Sequence, residues 1–269
     1  MTRVAVHGAS GHMGRTVCRV LVDAPDLELV AAVDPAGAGT ALSALVAGGD
    51  PSRAVVGSVE DLDPEELDVL VDFSRADAAF GALSWCASNG RGAVSGTTGL
   101  PAGSLDALRE AFARPGLPAC VLAANFSISA VLAMRLAEIA AAHLDAVEIV
   151  ELHHAGKRDA PSGTAVETAR RIAAARASCG APPMEDPTVH EVLPGSRGAV
   201  ADGGIRVHAV RLPGLVAHEE ILFGAPGQSL TIRQDSYDRT SFMPGVLAAV
   251  RALPRLTGLV VGLEAVLGI

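Results

Sequence analysis

Aromatic and basic side chains are scarce in this sequence of 269 residues. Phe, Trp and Tyr make up 3% of the chain, so we expect a core built mostly of Ala, Val and Leu, within a total of 49% apolar residues. That composition is typical of a soluble α/β protein. The formal net charge of −9 opposes binding to nucleic acid or to an anionic membrane surface. An anionic ligand must therefore be held by a local cluster of cations.

Cysteine is also rare, and none is spaced as in a metal site. The four cysteines form no C-x-x-C pair and have no histidine at ligand spacing, which predicts buried free thiols in a reducing cytoplasm and no bound metal. No segment is apolar for long enough to be a signal peptide or a membrane span, since the longest, Leu259–Ile269, is interrupted by Gly262 and Glu264. We therefore expect a cytoplasmic protein with no membrane partner. The cysteines are Cys18, Cys86, Cys120 and Cys179.

Short apolar runs alternate with helical patterns through the first half of the chain. Strands that are buried on both faces and separated by crossover helices predict an α/β fold with a doubly wound parallel sheet. The segment from Asp34 to Asp63 is rich in Gly, Pro and Ala, which predicts a loop with one short helix and at most a short strand. The predicted strands are Arg3–His7, Leu27–Asp34, Leu67–Phe73, Gly92–Ser95 and Ala119–Asn125, and the predicted helices are Met13–Ala24, Asp77–Asn89 and Leu105–Arg114.

The second half has the pattern of a separate α+β domain with a mixed or antiparallel sheet. Three strands near the end of this half, separated by Pro213-Gly214 and Pro226-Gly227, are predicted to be antiparallel and joined by short turns. The terminal segment resumes the composition of the first domain, so we expect domains of 1–126 plus 239–269 and of 127–238. The predicted elements are the helices Ser129–His143, Thr164–Ala177 and Ser241–Leu253 and the strands Ala146–His154, Ile205–Leu212, Leu215–Phe223 and Gln228–Asp235.

A glycine-rich turn, Gly8-Ala-Ser-Gly11-His-Met-Gly14, lies directly between the first predicted strand and the first predicted helix. Glycines there allow a tight turn, and the start of the helix presents free N–H groups and a positive dipole end to a diphosphate. The second strand ends in Asp34, where an acidic side chain accepts hydrogen bonds from the ribose hydroxyls of a dinucleotide. A glycine-rich turn without a ligand is the alternative, which Asp34 makes less favourable.

Two further turns follow later strands of the predicted sheet. Gly96-Thr-Thr-Gly99 follows the fourth strand and Ala123-Ala-Asn-Phe126 follows the fifth, at the carboxyl ends where this fold binds ligands. Either segment could be an ordinary turn. The complete set of predicted cofactor-binding residues is Gly8, Ala9, Ser10, Gly11, His12, Met13, Asp34, Gly96, Thr97, Thr98, Ala123, Ala124, Asn125 and Phe126.

The most informative segment is Glu151-Leu-His-His-Ala-Gly-Lys-Arg-Asp-Ala-Pro-Ser-Gly-Thr-Ala165. It combines two histidines, a lysine and a predicted helix start in one loop, which suits an anionic substrate. Lys157 can pair with one carboxylate, and the N–H groups of Gly163 and Thr164 can bind a second. A histidine can donate or accept a proton near neutral pH. The alternative is a partly buried histidine beside solvated loop charges, but four such features in one loop favour a site.

This loop resembles the E-L-H-H-x-x-K-x-D-A-P-S-G-T-A signature of the dihydrodipicolinate reductase family, also called 4-hydroxy-tetrahydrodipicolinate reductases. The resemblance covers the whole chain, including the glycine loop, Asp72-Phe73 and Asp238-Arg-Thr-Ser-Phe242. It implies a Rossmann-like domain that binds NADH or NADPH, and a homotetramer built through the sheet of the second domain.

The resemblance also implies roles for individual residues. His153 corresponds to the family's acid/base and Lys157 to a second proton donor, while His154, Gly163 and Thr164 correspond to substrate contacts. The implied reaction is reduction of a cyclic imine dicarboxylate after loss of its 4-hydroxyl group, on the route to diaminopimelate and lysine. Hydride addition to such a conjugated system needs a proton at the adjacent carbon and cations for the carboxylates, which His153 and Lys157 can supply.

Some residues depart from the family pattern, and two rival functions stay open. His12 stands where many relatives carry Arg or Lys, and Asp34 has no basic neighbour in the sequence, so we expect NADH to be used at least as well as NADPH. Ser95 stands at a usually apolar position and is given no functional meaning. The rivals are another two-domain amino-acid dehydrogenase and a non-catalytic dinucleotide-sensing module.

Overall fold

The computed structural model describes residues 1–269, which divide into two compact units. One unit comprises Met1–Phe126 and Phe242–Ile269, and the other comprises Ser127–Ser241. In chain order the first unit begins with β1 Thr2–His7, α1 His12–Asp23, β2 Leu27–Val33, α2 Leu42–Leu45, β3 Val69–Asp72, α3 Ala76–Asn89, β4 Gly92–Ser95, α4 Ser104–Phe112 and β5 Cys120–Leu122. The second unit contains α5 Ile128–Ala141, β6 Ala146–His153, α6 Gly163–Ser178, β7 Ala199–Val200, β8 Arg206–Arg211, β9 Ala217–Ala225 and β10 Gln228–Ser236. The chain then returns to the first unit with α7 Met243–Ala252, β11 Leu259–Val261 and α8 Glu264–Leu267.

The first unit is built on a six-stranded parallel sheet with the order β11-β5-β4-β3-β1-β2. Its central strands β1, β3, β4 and β5 are almost entirely buried, as expected for a sheet covered by helices on both faces, whereas the edge strands β2 and β11 are partly exposed. The predicted doubly wound fold is therefore confirmed. The strand order reverses at β1, which lies between β2 and β3, and such a switch point is where sheets of this kind form a ligand crevice at their carboxyl ends.

The second unit contains a five-stranded mixed sheet with the order β10-β9-β6-β8-β7. The antiparallel pairing of β9 with β10 agrees with the sequence prediction, but the pairing expected between β8 and β9 is wrong. Strand β6 lies between them, parallel to β8 and antiparallel to β9. The physical reason is that the connection Leu212–Val216 passes over the end of β6 instead of forming a tight turn. Its ends are hydrogen-bonded there, from Leu212 N–H to the carbonyl of His153 and from His154 N–H to the carbonyl of Val216.

Strand β6 takes this central position because its alternate side chains are apolar and face the helices. Val147 and Ile149 are buried in a core formed with α5, α6 and residues of β8 and β9. The same alternation directs Glu151, two residues further along, towards the helix side. The second unit therefore has a buried carboxylate at the edge of its hydrophobic core.

The segment after Asp34 and the burial of the four cysteines can be compared with the predictions from the sequence. The segment after Asp34 contains the short helix α2 and isolated β-bridges, without a strand of its own. Cys18, Cys86 and Cys120 are buried free thiols, but Cys179 is exposed, contrary to the prediction, because it lies just beyond the end of α6. No helix of the chain combines the length and the apolar character that crossing a bilayer requires.

Candidate active site and cofactor cradle

The glycine loop has a shape that only glycine permits at two positions. Gly8 has a φ of +76°, and a Cβ atom there would lie 2.6 Å from the carbonyl oxygen of Phe73 at the end of β3. A Cβ atom at Gly14 would lie 2.1 Å from the carbonyl oxygen of Gly8. The two glycines therefore let β1, β3 and the first turn of α1 approach closely, which leaves a backbone-lined cradle at the switch point of the sheet.

Hydrogen bonds within the loop select which of its N–H groups can serve a ligand. The N–H groups of Gly8 and Ala9 donate to the last carbonyl of β2, and that of Gly11 donates to Gly8. The first turn of α1 begins at His12 and has no side-chain cap. The N–H groups of His12 and Met13 point out of the helix start without an intrahelical partner, as the first groups of any helix do. An anion at this loop would therefore be bound by the start of α1.

Asp34 connects the glycine loop to the end of β2. Its carboxylate accepts hydrogen bonds from the N–H groups of Ser10 at 2.9 Å and Ala36 at 2.9 Å. Gly37 leaves room for the Ser10 hydroxyl, because a Cβ atom at Gly37 would lie 2.3 Å from it. Arg15 approaches from α1 and donates to the Ser10 carbonyl at 3.0 Å. Sequence reasoning had found no cation close to Asp34, and Arg15 is one that the helix brings to the same loop.

A cavity of about 400 Å³ opens beside the glycine loop. It is lined by Met13 and by residues from the carboxyl ends of β3 and β4, and Met13, Gly96, Thr97 and Thr98 of this lining were predicted from the sequence. Sequence reasoning assigned no role to Phe73, Ser74 or Arg75, although their position after a buried strand was a usable signal. The complete lining is Met13, Phe73, Ser74, Arg75, Ala76, Gly96, Thr97 and Thr98.

Beneath this cavity lies a buried polar cluster centred on Asp72. The carboxylate accepts hydrogen bonds from His7 Nδ1 at 2.9 Å, Ser74 Oγ at 2.5 Å, Ser95 Oγ at 2.6 Å and Thr97 Oγ1 at 2.8 Å. Burial alone would raise the pKa of Asp72, but these hydrogen bonds outweigh it and hold the pKa below its usual range. The cluster ties together the ends of β1, β3 and β4. Thr97 therefore directs its side chain inward, and Ser95, which was given no role, is part of the support.

The turn after β5 completes this edge of the sheet. Ala123 is buried and donates its N–H to the Ser95 carbonyl at 3.0 Å, which continues the pairing of β5 with β4. Ala124 is exposed and, with Thr98, lines a second cavity of about 530 Å³. Phe126 is buried and its ring lies 5.7 Å from that of Phe73. Asn125, the remaining predicted residue of this turn, lies between Ala124 and Phe126 in the sequence and is half-buried.

In the second unit, His153 lies at the end of β6 and is held by Glu151. The His153 Nδ1 atom is 2.5 Å from Glu151 Oε2, and Arg211 of β8 binds both oxygens of Glu151 at 2.8 Å. The N–H group of Ser162 donates to the same carboxylate at 3.1 Å. Glu151 was quoted in the sequence motif without a role, and Arg211 was not identified at all, because no local pattern marks it. Together they orient the imidazole.

The electrostatics of this group follow from burial and charge. Burial would raise the pKa of Glu151, but hydrogen bonds from Arg211 and His153 hold it below its usual range. Burial lowers the pKa of His153, against the opposing effect of Glu151, and the positive charges of Lys157 and Arg211 lower it further. An ionised Glu151 accepts from Nδ1–H, so Nε2 is the nitrogen that remains to exchange a proton.

The loop after β6 brings the other predicted residues to the same end of the sheet. Lys157 is four-fifths buried and donates to both oxygens of Asp159, at 2.9 and 2.8 Å. This ion pair was not foreseen. His154 and Arg158 are exposed. The positive charge of Lys157 is among the effects that lower the pKa of His153, as expected for two side chains at the same end of the sheet.

Helix α6 begins immediately after this loop. Ser162 caps it by accepting a hydrogen bond from the N–H group of Ala165 at 3.2 Å. The following N–H groups, of Gly163 and Thr164, belong to the first helical turn and have no intrahelical partner. A Cβ atom at Gly163 would meet no other atom within 4 Å, so the space beside this first helical residue is open. The helix start can therefore accept an anionic group.

Comparison with known proteins gives matches over the full chain. Residues 2–126 match the family model described as dihydrodipicolinate reductase, N-terminus, and residues 129–267 match that of its C-terminus. The 4-hydroxy-tetrahydrodipicolinate reductase of Cutibacterium acnes is 48% identical over 269 residues, covering 100% of both chains. The enzyme of the same name from Beutenbergia cavernae is 49% identical over 265 residues, covering 98% of each.

Solved structures agree with these matches. The dipicolinate-bound dihydrodipicolinate reductase from Paenisporosarcina sp. TG-14 is 39% identical with a TM-score of 0.88, and the match covers 98% of this chain and 99% of that one. A myo-inositol dehydrogenase from Corynebacterium glutamicum, at 15% identity and a TM-score of 0.60, shares the fold alone.

Proposed function

The chain belongs to the dihydrodipicolinate reductase family, and from this premise we propose that it catalyses the NAD(P)H-dependent reduction of 4-hydroxy-tetrahydrodipicolinate to tetrahydrodipicolinate. Water is lost in this reaction, which lies on the route to diaminopimelate and lysine. The chain is thus an oxidoreductase. The observation that carries the proposal is the group formed by His153, Glu151 and Arg211 beside Lys157 and the start of α6. It combines a proton-exchanging nitrogen with binding groups for a dicarboxylate.

The first unit fits a nicotinamide dinucleotide, which supplies a hydride when it is bound. The close approach at Gly8 and Gly14 leaves room that a side chain would fill, and the N–H groups of His12 and Met13 suit the diphosphate. Asp34 has lone pairs left for ribose hydroxyls beside its bonds to Ser10 and Ala36. The remaining proposed contacts are Ala9, Gly11, Gly96, Thr97, Thr98, Ala123, Ala124, Asn125 and Phe126.

We expect this cradle to accept NADH at least as well as NADPH. A ribose 2′-hydroxyl can donate to Asp34, whereas a 2′-phosphate would be repelled by it. Arg15 is a cation of the same loop that could offset this repulsion, but it is exposed and its Nε donates to the Ser10 carbonyl, not to Asp34. Because an exposed, solvated charge contributes little, Asp34 should dominate the preference.

His153 is the proposed acid/base. Glu151 holds Nδ1 and leaves Nε2 to give a proton to the ring carbon next to the position that receives the hydride. The lowered pKa of His153 favours the neutral ring in the ligand-free protein. A bound dianion would raise that pKa, and the imidazole would then take up the proton that it later donates. Lys157 is the proposed second proton donor. Its position inside the same electrostatic environment lets it also compensate negative charge.

Two anionic ends of the substrate require two binding groups. Lys157 and His154 suit one carboxylate, and the N–H groups of Gly163 and Thr164 at the start of α6 suit the other. The presence of dipicolinate in the Paenisporosarcina relative supports a small aromatic or cyclic dicarboxylate as the ligand class. Substrate binding would have to compete with Asp159 for Lys157, or add to that pair.

We further propose that the first unit is the dinucleotide-binding domain and that the second binds substrate and mediates assembly into a homotetramer in the cytoplasm. The mixed sheet exposes Val200 and Leu222, and the exposed Tyr237 follows directly after β10, which suits contact with another copy. Sedimentation of the purified protein would measure this state directly.

The decisive experiment follows the oxidation of reduced nicotinamide by the purified protein, with the unstable substrate supplied freshly by dihydrodipicolinate synthase. We expect turnover with that product and none with homoserine or aspartate semialdehyde. Turnover with the semialdehyde alone would favour the rival amino-acid dehydrogenase. Dinucleotide binding without any turnover would favour the non-catalytic module.

A further inference from the structure

A second buried carboxyl group lies directly across the sheet from Glu151. Strand β9 pairs antiparallel with β6, and the register places Glu219 opposite Glu151. Two residues away in the same register, Ile221 lies opposite Ile149 in the hydrophobic core. Because side chains alternate along a strand, both glutamates face the same helix-covered side of the sheet. Glu219 is only 3% exposed.

The two carboxyl groups differ sharply in the number and charge of their hydrogen-bond partners. Glu151 is bound by a guanidinium group, an imidazole and a backbone N–H group. Glu219 has one partner, the hydroxyl of Thr168 at 3.3 Å from Oε2, and its Oε1 atom is buried with none. The Thr168 hydroxyl also lies 3.0 Å from the carbonyl of Thr164, to which it can donate instead. A buried carboxylate with so little support is costly, so this environment favours the protonated acid.

The charge that acts directly on Glu219 is that of Glu151. Strand β6 presents Glu151, with Arg211 and His153 bound to it, and on the other side β10 presents the neutral Gln234. Helix α6 presents the hydroxyl of Thr168. Elsewhere on α5 and α6, the charges of Arg135, Glu138, Glu167, Arg170 and Arg171 pair among themselves, and the buried Arg176 donates to the carbonyl of Leu144. Burial raises the pKa of Glu219 to about 7, with the hydrogen bond from Thr168 lowering it and the negative charge of Glu151 raising it.

We propose that Glu219 is a positioning residue whose charge controls, through Glu151, how strongly His153 holds its proton. This inference rests on the proposed role of His153. While Glu219 is neutral, the single charge of Glu151 is shared between Arg211 and His153. When Glu219 ionises, a second negative charge stands across the strand and favours the imidazolium form. Burial lowers the pKa of His153 and so disfavours the imidazolium form. The ionisation of Glu219 as the pH rises opposes this effect and keeps more of the ring protonated.

The test replaces Glu219 with a neutral isostere, Glu219→Gln. Interacting ionisable groups titrate as a pair, so with a coupling of about half to one pKa unit wild-type His153 should titrate broadly, with imidazolium persisting above pH 7. In the variant the titration should narrow to that of a single site. The ratio of wild-type to variant kcat/KM should be close to one at pH 5.5 and rise to roughly 3–10 at pH 8, because each pKa unit is a factor of ten in the protonated fraction.

Two measurements distinguish this role from a structural one. Glu220→Gln is the matched control, because Glu220 is the next residue on β9, faces the other side of the sheet and pairs with Arg233. It should leave the titration of His153 unchanged. NMR of the imidazole carbons, with His153 assigned through the signal missing from His153→Asn, reports the coupling without any turnover. An inactive wild-type protein that shows the coupling would therefore refute the proposed function and leave this inference standing.

A second variant distinguishes an electrostatic effect of Glu219 from a change in folding. Thr168→Val removes the one hydrogen bond of Glu219, so Glu219 should ionise at higher pH, and the imidazolium of His153 that persists above pH 7 should decrease towards the level seen in Glu219→Gln. The inference is overturned by an unchanged His153 titration in both Glu219→Gln and Thr168→Val. It is equally overturned by a kcat/KM ratio for Glu219→Gln that stays constant from pH 5.5 to pH 8, which is the signature of a purely structural defect.

Discussion

The removal of Lys157 gives the most direct test of how the site holds a dianion. We expect Lys157→Ala to weaken competitive inhibition by pyridine-2,6-dicarboxylate, a flat and unreducible mimic of the ring, far more than it weakens cofactor binding. With a net charge of −9, the chain can hold a dianion only where local cations and helix N–H groups converge. We propose that Lys157, His154 and the start of α6 form that place.

The size of the effect follows from the surroundings of Lys157. Its side chain is 20% exposed, and truncating one member of a desolvated charge pair typically costs roughly 2–5 kcal/mol. Asp159 already neutralises part of the charge in the ligand-free protein, so we take the lower part of that range. About 2–3 kcal/mol corresponds to roughly a 30–150-fold increase in the inhibition constant. Asp159→Asn should act in the opposite direction and tighten inhibition by a few-fold, because it frees the ammonium group.

The assay measures inhibition constants at fixed ionic strength, beside cofactor affinity from nicotinamide fluorescence. Arg158→Ala is the internal control, since Arg158 is exposed and exposed charges contribute little. Equal losses in the Lys157 and Arg158 variants would mean that a diffuse positive patch binds the dianion. A larger loss from Arg158→Ala would show that the argument selects the wrong cation.

Three further outcomes are expected. His153→Ala should lower kcat by about 10²–10⁴-fold, as for a general acid/base, and leave cofactor affinity nearly intact in a parallel titration; wild-type turnover would contradict its role. NADH should have a Michaelis constant no higher than that of NADPH, and a lower constant together with higher turnover for NADPH, reversed by Arg15→Ala, would show that Arg15 outweighs Asp34. The pKa of Glu219 is about 7 in the folded chain, against an ordinary value of 4.5 for a free glutamate. Between these two values the folded chain binds more protons than the unfolded chain, so the contribution of Glu219 to the free energy of unfolding falls as the pH rises from about 4.5 to 7. Denaturant unfolding should therefore show Glu219→Gln gaining stability relative to wild type by on the order of 3 kcal/mol across that window, and a pH-independent difference would refute it.

Local patterns predicted the first unit well, because its structure depends on features that are close together in the sequence. Buried runs such as Gly92–Ser95 form strands wherever helices cover both faces, and the glycines at Gly8 and Gly14 are needed by the turn itself. The motif around His153 and Lys157 could likewise be recognised from the sequence. Its residues lie within one loop, so no long-range pairing was needed to bring them near one another.

Cross-strand partners could not be predicted in the same way. No pattern near His7 or Ser95 indicates that both donate to Asp72, since this depends on β1 and β4 flanking β3 in one register. Nor does the short connection between β8 and β9 reveal that β6 lies between them. A turn length constrains which strands can be neighbours, but the burial of the apolar face of β6 decides which strand is central.

The sequence by itself determined the α/β fold class, the glycine turn after β1 and the residues of the loop after β6, because each is encoded by spacing within a short segment. Only the tertiary structure decided what surrounds those residues: the clamp of Arg211 on Glu151, the bond of Glu151 to His153, and the position of Glu219 across the strand. The physical reason is that electrostatic control of a proton depends on distance and burial. Both are set by strand register between segments far apart in the chain, which no local pattern specifies.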